Sequence, residues 1–334
     1  MRRYLLGIAA LGAMLGAGPA ATAANAAPEC DRACLEKFVD GWLDAMIAKD
    51  IKRLPVTADV RYAESYQPIA LGEGSWRTID GLGKYRHYFA DPENGQVGFI
   101  GTVTEHGAPG FIDLRLKIRD HKIAEAEMFL MRDPGAFQRY EEMGKPEDVW
   151  LTAVAPEQRA SRADLIRAAN NYFQGMQHND GKGDYSFFHD ECNRLEHALR
   201  TTNLKTKEAY GHSTDTEFRS RTCAQQFGSG FLGFVTDIRD RRFIIVDEER
   251  QALLAFASLD HNGTIRRLNQ TDGRVFVLPD YFDVPRTLQV VEGFQLREGK
   301  LFRIEMTLTE LPYGSPPAWK DQPATTTPGT GAAR

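Results

Sequence analysis

The chain has 334 residues, 42% hydrophobic and 26% charged, with a formal net charge of -5. That balance supports ordinary globular cores, and at roughly 100–200 residues per domain it supports two of them. The few basic clusters, such as Arg239-Asp240-Arg241-Arg242, are broken by acids, so no nucleic-acid partner is expected.

In chain order, Arg2-Arg3, an apolar run from Leu5 to Leu15 and the small residues from Ala20 to Ala27 make a signal-peptide pattern over residues 1–26. The apolar run is too short for a hydrocarbon core, which needs about 20 residues. Cleavage is expected after Ala26, with Ala23 as the alternative. No apolar residue stands where a lipobox before Cys30 would need one, and the paired arginines lack the rest of a twin-arginine signal. The general secretory route, to the periplasm or outside, is therefore the expectation. No later segment is apolar enough to span a bilayer, so no membrane span is expected.

Four cysteines remain: Cys30, Cys34, Cys192 and Cys223. An even count in an oxidising compartment suggests disulfides, and three connectivities exist. Pairing by proximity, Cys30–Cys34 and Cys192–Cys223, keeps each bridge within one domain. The first of these requires a non-helical first turn. No His flanks the cysteines at zinc spacing, and Asp113, Asp120 and His121 have no metal spacing either, so no metal site is expected.

Leu35, Phe38, Val39, Trp42, Leu43, Met46 and Ile47 recur at helical spacing. After a polar break comes Val60-Arg61-Tyr62-Ala63-Glu64. Further on, Ile112 to Ile118 alternates strictly, Arg119 to Lys122 turns, and Ile123 to Leu130 returns, which is an antiparallel hairpin. Residues 133–160, with three prolines and two glycines, read as a linker holding a short helix.

The same order then repeats. Ser161 and Asp164 cap a helix whose apolar face is Leu165, Ile166, Ala169, Tyr172, Phe173 and Met176. Cys192-Asn193-Arg194-Leu195-Glu196 matches the segment ending at Glu64. The stretches Val290–Leu296 and Leu301–Leu308 repeat the hairpin, with Glu127 and Glu305 in register. Duplicated domains over 28–132 and 161–320 follow, with a disordered tail over 321–334. Helices first and strands after make an α+β fold, two tandem cones in which a curved antiparallel sheet wraps the N-terminal helices.

This unit resembles the nuclear-transport-factor-2-like, or SnoaL-like, superfamily. Leu71–Trp76, Tyr88–Phe99, Val246–Arg250 and Leu311–Gly314 are similar to a tandem family of secreted bacterial and fungal proteins. The resemblance implies cone interiors that hold small molecules, pairing across an open sheet face in a possible homodimer, and functions that range from dehydratases, isomerases and lyases to plain binding. In that family Glu64 and Glu196 are often followed by Asn-Gly; here Ser65 and His197 follow them.

In such a cone the inward polar groups carry the chemistry. Glu292 falls in the apolar register where the first half has Leu114, which makes it a candidate acid or base with a pKa raised by desolvation, or else a mouth residue paired with Arg. Arg194 and Glu196 share a face, as an anchor and an acid or its orienter. For this pair a structural role outweighs catalysis, because both halves carry the Glu. His261, at a strand end, would shuttle a proton to Glu292. In the first half Tyr62, Glu64, Trp76 and His87 would line a second pocket. The sequence contains no G-x-S-x-G elbow, P-loop, Rossmann fingerprint or H-E-x-x-H. The expected chemistry is therefore a cofactor-free lyase, dehydratase or isomerase reaction on a small apolar or aromatic molecule. The alternative is a periplasmic binding protein for an apolar ligand.

Overall fold

Asp31 accepts the backbone N–H of Cys34 and so starts helix α1 (Arg32–Ile47). The first turn is helical, contrary to the expectation for this bridge: Cys30 lies outside the helix before the cap and Cys34 is its third residue, so the Cys30–Cys34 disulfide spans the helix start. This is a computed structural model describing residues 30–205 and 216–319; the expected leader and tail lie outside the described residues. The stripe Leu35, Val39, Trp42, Leu43 and Met46 is buried under a sheet. Its strands are β1 (Val56–Glu64), β2 (Gln67–Pro68), β3 (Ile79–Asp91), β4 (Gln96–Glu105), β5 (Ala108–Arg119) and β6 (Lys122–Met131).

Helices α2 (Pro134–Met143) and α3 (Asp148–Leu151) follow, and then α4 (Arg162–Met176), capped by Ser161. The second half continues with β7 (Phe188–Glu196), β8 (Leu199–Arg200), α5 (Thr216–Ser220), α6 (Cys223–Gly228), β9 (Asp237–Asp247) and β10 (Ala252–His261). It ends with β11 (Arg267–Asn269), β12 (Val275–Val277), β13 (Arg286–Arg297) and β14 (Lys300–Pro312). A second disulfide ties Cys192 of β7 to Cys223 of α6, and the two bridges suit an oxidising environment.

The two sheets have the same order, β2-β1-β6-β5-β4-β3 and β8-β7-β14-β13-β10-β9. The fold is α+β, with two tandem six-stranded curved sheets, each wrapped on its helix. Each sheet departs from pure antiparallel pairing once. β1 runs parallel to β6, and β7 parallel to β14, because the first strand returns beside the last only after the whole meander has been laid down.

The register shows the duplication directly. One rung joins Glu64, Met128 and Leu114; its twin joins Glu196, Met306 and Glu292.

Each sheet buries one face on its own helix and the other on the sibling sheet. Between the sheets lie Tyr85, Phe89, Ile100, Phe111 and Phe129 of the first half with Ile245, Leu254, Phe256 and Val291 of the second. The segment expected as a linker joins this core through Ala136, Tyr140 and Trp150. It is therefore packed structure rather than a spacer. Polar side-chain contacts cross the interface in matched pairs. Arg32, the first residue of α1, holds Asp247 at 2.6 Å, and Arg162, the first residue of α4, holds Asp91 at 2.6 Å. Arg242 of β9 reaches Glu127 of β6 at 3.0 Å, while His87 of β3 reaches Glu305 of β14 at 2.7 Å. The stretches Tyr88–Phe99 and Val246–Arg250 carry this double clamp. The sheet faces that would pair two chains cover each other within one.

The residues after Glu64 and Glu196 form the tight turns of short hairpins. Ser65 and Tyr66 sit at φ 47° and 68°, and His197 and Ala198 at 47° and 59°. Asn-Gly suits such turns. Here tertiary contacts hold the strained residues: Tyr66 Oη lies 3.0 Å from Ser258 Oγ, and His197 Nδ1 lies 3.2 Å from Asp133.

Candidate functional site

Glu292 points into the second cone on the same face of β13 as Val290, Phe294 and Leu296, which belong to the core packed on α4. It is 1% exposed, and its Oε1 has no hydrogen-bond partner. Burial pushes its carboxyl from 4.5 up to about 8. A hydrogen bond from Tyr172 and the charge of Arg194 pull the other way, while Glu196 adds to the rise. At pH 7 the group is mostly the neutral acid, able to give up a proton.

Three side chains surround it. Tyr172 comes from α4 at the helical spacing that also buries Leu165, Ala169 and Met176. Arg194, on β7 and 4% exposed, donates to Thr201 Oγ1 at 3.0 Å and to the Tyr172 hydroxyl at 3.4 Å. It also pairs with Glu196 at 3.1 Å. Burial opposes the Arg194 charge, but Tyr172, Glu196 and Glu292 outweigh it and raise its pKa above the usual guanidinium value. Glu196 has a side chain 36% exposed, so it marks the solvent side of the cluster. Because Glu196 and Glu292 share a rung with Met306 between them, their backbones stand about 10 Å apart, two strand spacings. Aromatic walls flank the cluster: Tyr172 meets Phe294 and Phe227, each with ring centroids 5.1 Å apart.

His261 does not reach this cluster. Ala255 of β10 is the cross-strand partner of Glu292, and His261 is six residues further along, opposite Arg286, or about 20 Å at ~3.3 Å per residue. It lies under the 24 residues between β10 and β13, stacked on Phe234 at 5.4 Å and tilted against Phe282 at 5.5 Å. Burial lowers its pKa from 6.5 to about 4, which keeps it neutral in that apolar setting.

In the first cone three of the four expected residues converge. Tyr62 Oη lies 3.3 Å from Glu64, and Glu64 accepts the N–H of Ser75 at 2.8 Å. Trp42 of α1 bridges Tyr62 and Trp76, with ring centroids at 5.6 and 5.0 Å. Burial and the neighbouring Glu64 push the Tyr62 phenol upward. His87 is the exception. Its neighbour Tyr88 faces α1 and donates to Asp40 at 2.7 Å. His87 therefore faces the other way, into the inter-sheet core, where Glu305 also accepts from Tyr85 Oη at 2.8 Å. Strand parity separates the two.

Tyr172 and Thr201 complete the second cluster. Tyr172 was legible only as a core position of its helix, and Thr201 carried no signal.

A family model described as "Domain of unknown function (DUF8021)" matches residues 158–308, the second half of the chain. No curated protein matches. Solved structures that are similar at low identity include the following three. A candidate polyketide cyclase from Xanthomonas campestris pv. campestris is 14% identical over 45% of this chain and 93% of its own, with a TM-score of 0.27. An NTF2-like protein from Anabaena variabilis is 11% identical over 45% and 93%, with a TM-score of 0.26. A phenazine biosynthesis-related protein from Pseudomonas aeruginosa is 9% identical over 44% and 80%, with a TM-score of 0.26.

Proposed function

We propose that the second cone is the active site of a cofactor-independent lyase, dehydratase or isomerase acting on a small apolar or aromatic molecule outside the cytoplasm. The observation that carries this is Glu292, a carboxyl 1% exposed with one oxygen unpartnered, whose pKa burial raises. A residue serving only to fix a ligand would do better paired and ionised; a proton donor gains from a raised pKa.

The roles follow from position. Glu196, as the carboxylate beside Arg194, takes a proton from a carbon next to a carbonyl. Glu292 gives its proton to the departing hydroxyl, releasing water, or to a second carbon, completing an isomerisation. The electron pair of the broken C–H bond becomes the new double bond. Arg194 and the Tyr172 hydroxyl stabilise negative charge building on the substrate oxygen. Reprotonation of Glu292 and loss of the proton from Glu196 reset the site.

The competing role is binding without turnover, favoured by the Arg194–Glu196 ion pair, which would hold the polar end of a ligand. A thermal-shift screen of aromatic, terpenoid and polyketide-like compounds, followed by mass spectrometry of each hit, separates the two. Conversion of a stabilising compound by wild type, lost in Glu292→Gln with binding retained, supports catalysis. Stabilisers recovered unchanged support binding. Wild-type turnover in Glu292→Gln removes Glu292 from the mechanism.

A further inference from the structure

The β5–β6 turn carries His121 to the start of α1. There the ligand atoms of Cys30, Cys34 and His121 all lie within 4.8 Å of one another. Among the described residues, no other group of three or more His, Cys, Asp or Glu side chains gathers its donor atoms so closely. Cys30 is buried, Cys34 partly buried and His121 exposed. The cluster borders a surface groove of about 510 Å³, whose lining includes Asp31, Cys34, Lys37 and His121.

We propose that Cys30, Cys34 and His121 form a binding site for a soft metal ion, Zn²⁺ or Cu⁺, that opens when the Cys30–Cys34 disulfide is reduced. The site borders the core of the first cone, where Cys30 and Cys34 pack, and is independent of the chemistry assigned to Glu292.

Tetrahedral zinc holds sulfur at about 2.3 Å and imidazole nitrogen at about 2.0–2.1 Å, so neighbouring donors stand roughly 3.5–3.8 Å apart. Donors already gathered within 4.8 Å need only a small closing movement of His121, while the freed sulfurs part to that spacing. Two thiolates and an imidazole select Zn²⁺ or Cu⁺ over Mg²⁺ or Ca²⁺. Cys34 is the third residue of α1, where the helix N-terminus favours a thiolate. Water completes the coordination from the groove. The bridged cysteines are only 4 apart in sequence, so opening this bridge releases little chain entropy compared with a long loop.

The redox step balances with a dithiol reductant. The dithiol gives two electrons and two protons, becoming a disulfide, and the Cys30–Cys34 bond becomes two thiols. Metal binding then releases the two thiol protons, with His121 binding as the neutral imidazole. In an oxidising compartment the bridge is closed and the metal excluded; a local reductant would load the site.

The test uses the full chain, reduced with a phosphine, freed of reductant without air and titrated with Co²⁺ as the probe. The expected result is one equivalent bound, with thiolate-to-cobalt charge-transfer absorption that Zn²⁺ abolishes. The oxidised protein should give no such band. Cys30→Ser/Cys34→Ser, which keeps Cys192 and Cys223, should give none either while retaining its thermal transition. His121→Asn, an exposed change that keeps a residue tolerant of the positive φ there, should weaken Co²⁺ binding at least tenfold. A missing band in the reduced protein would overturn the proposal. So would a band that survives in Cys30→Ser/Cys34→Ser, or an affinity unchanged in His121→Asn.

Discussion

The two cones are built on one frame and filled in opposite ways. Around matching rungs, the first places Trp42 on its helix, Tyr62 on its opening strand and Leu114 on its central strand; the second places Tyr172, Arg194 and Glu292. Glu64 and Glu196 occupy the same register, yet Glu64 closes a loop by accepting the N–H of Ser75, whereas Glu196 pairs with Arg194. The first interior is secured by tilted and edge-on aromatic rings. The second keeps a buried carboxyl that costs stability, at the position where the first has Leu114.

The strongest way to break this contrast is to exchange the distinguishing side chains. Leu114→Glu puts a carboxyl among apolar neighbours with no Arg at the position of Tyr62. A loss of about 4 kcal/mol or more, or failure to fold, is expected in urea unfolding. A loss below about 1 kcal/mol would show that the first cone already tolerates the charge.

The reverse exchange, Glu292→Leu, should stabilise at alkaline pH. The folded-state pKa of Glu292 is raised from 4.5 to about 8. The folded protein therefore binds more protons than the unfolded chain between these values, and stability falls as pH rises through that window. The full loss, about 5 kcal/mol, is reached above pH 8. Urea unfolding at pH 4.5 and pH 9 should show this slope in the wild type and its disappearance in Glu292→Leu.

A smaller contrast lies at the far ends of β4 and β10. Glu105 ends β4 in an ion pair with Arg132, before a two-residue turn, while His261 ends β10 under the longer connection of the second half. The His261 pKa is lowered from 6.5 to about 4. Its contribution is complete above pH 6.5 and is lost as pH falls to 4, by about 3 kcal/mol. His261→Phe should remove that part of the acid lability, seen as a flatter stability profile between pH 6.5 and 4.

The matched clamps make a sharper demand. Arg32→Ala and Arg162→Ala each strand a buried aspartate, Asp247 or Asp91, and should cost about 2–3 kcal/mol apiece once partial exposure of the arginines is allowed for. Unequal losses would mean that the interface is less symmetric than its geometry. The smallest effect belongs to the turns. Ser65→Asn should gain about 0.5 kcal/mol, because Asn tolerates the positive φ better.

Much of this was legible because alternation is a one-dimensional signal. It located the hairpins, matched Glu127 with Glu305 and turned Glu292 inward. The same periodicity could not say what each sheet face meets. His87 was assigned to the first cone, although its neighbour Tyr88 takes the inward position and His87 faces the sibling sheet. The sequence reading sets His261 near Glu292 as a strand-end residue, but the distance along β10 is fixed by a register that sequence alone does not reveal. The parallel closure of each sheet and the approach of His121 to Cys30 and Cys34, far apart in sequence, are long-range outcomes of the fold.

The most direct test of the difference between the cones is the ionisation of Glu292 itself. A ¹³C NMR titration of protein labelled at glutamate Cδ, with Glu292→Gln for assignment, reads it in one experiment. A carboxyl resonance that is absent from the variant and titrates near pH 8 is the predicted result. A Glu292 resonance titrating near 4.5 would contradict the account, making the second cone an ordinary ion-paired interior.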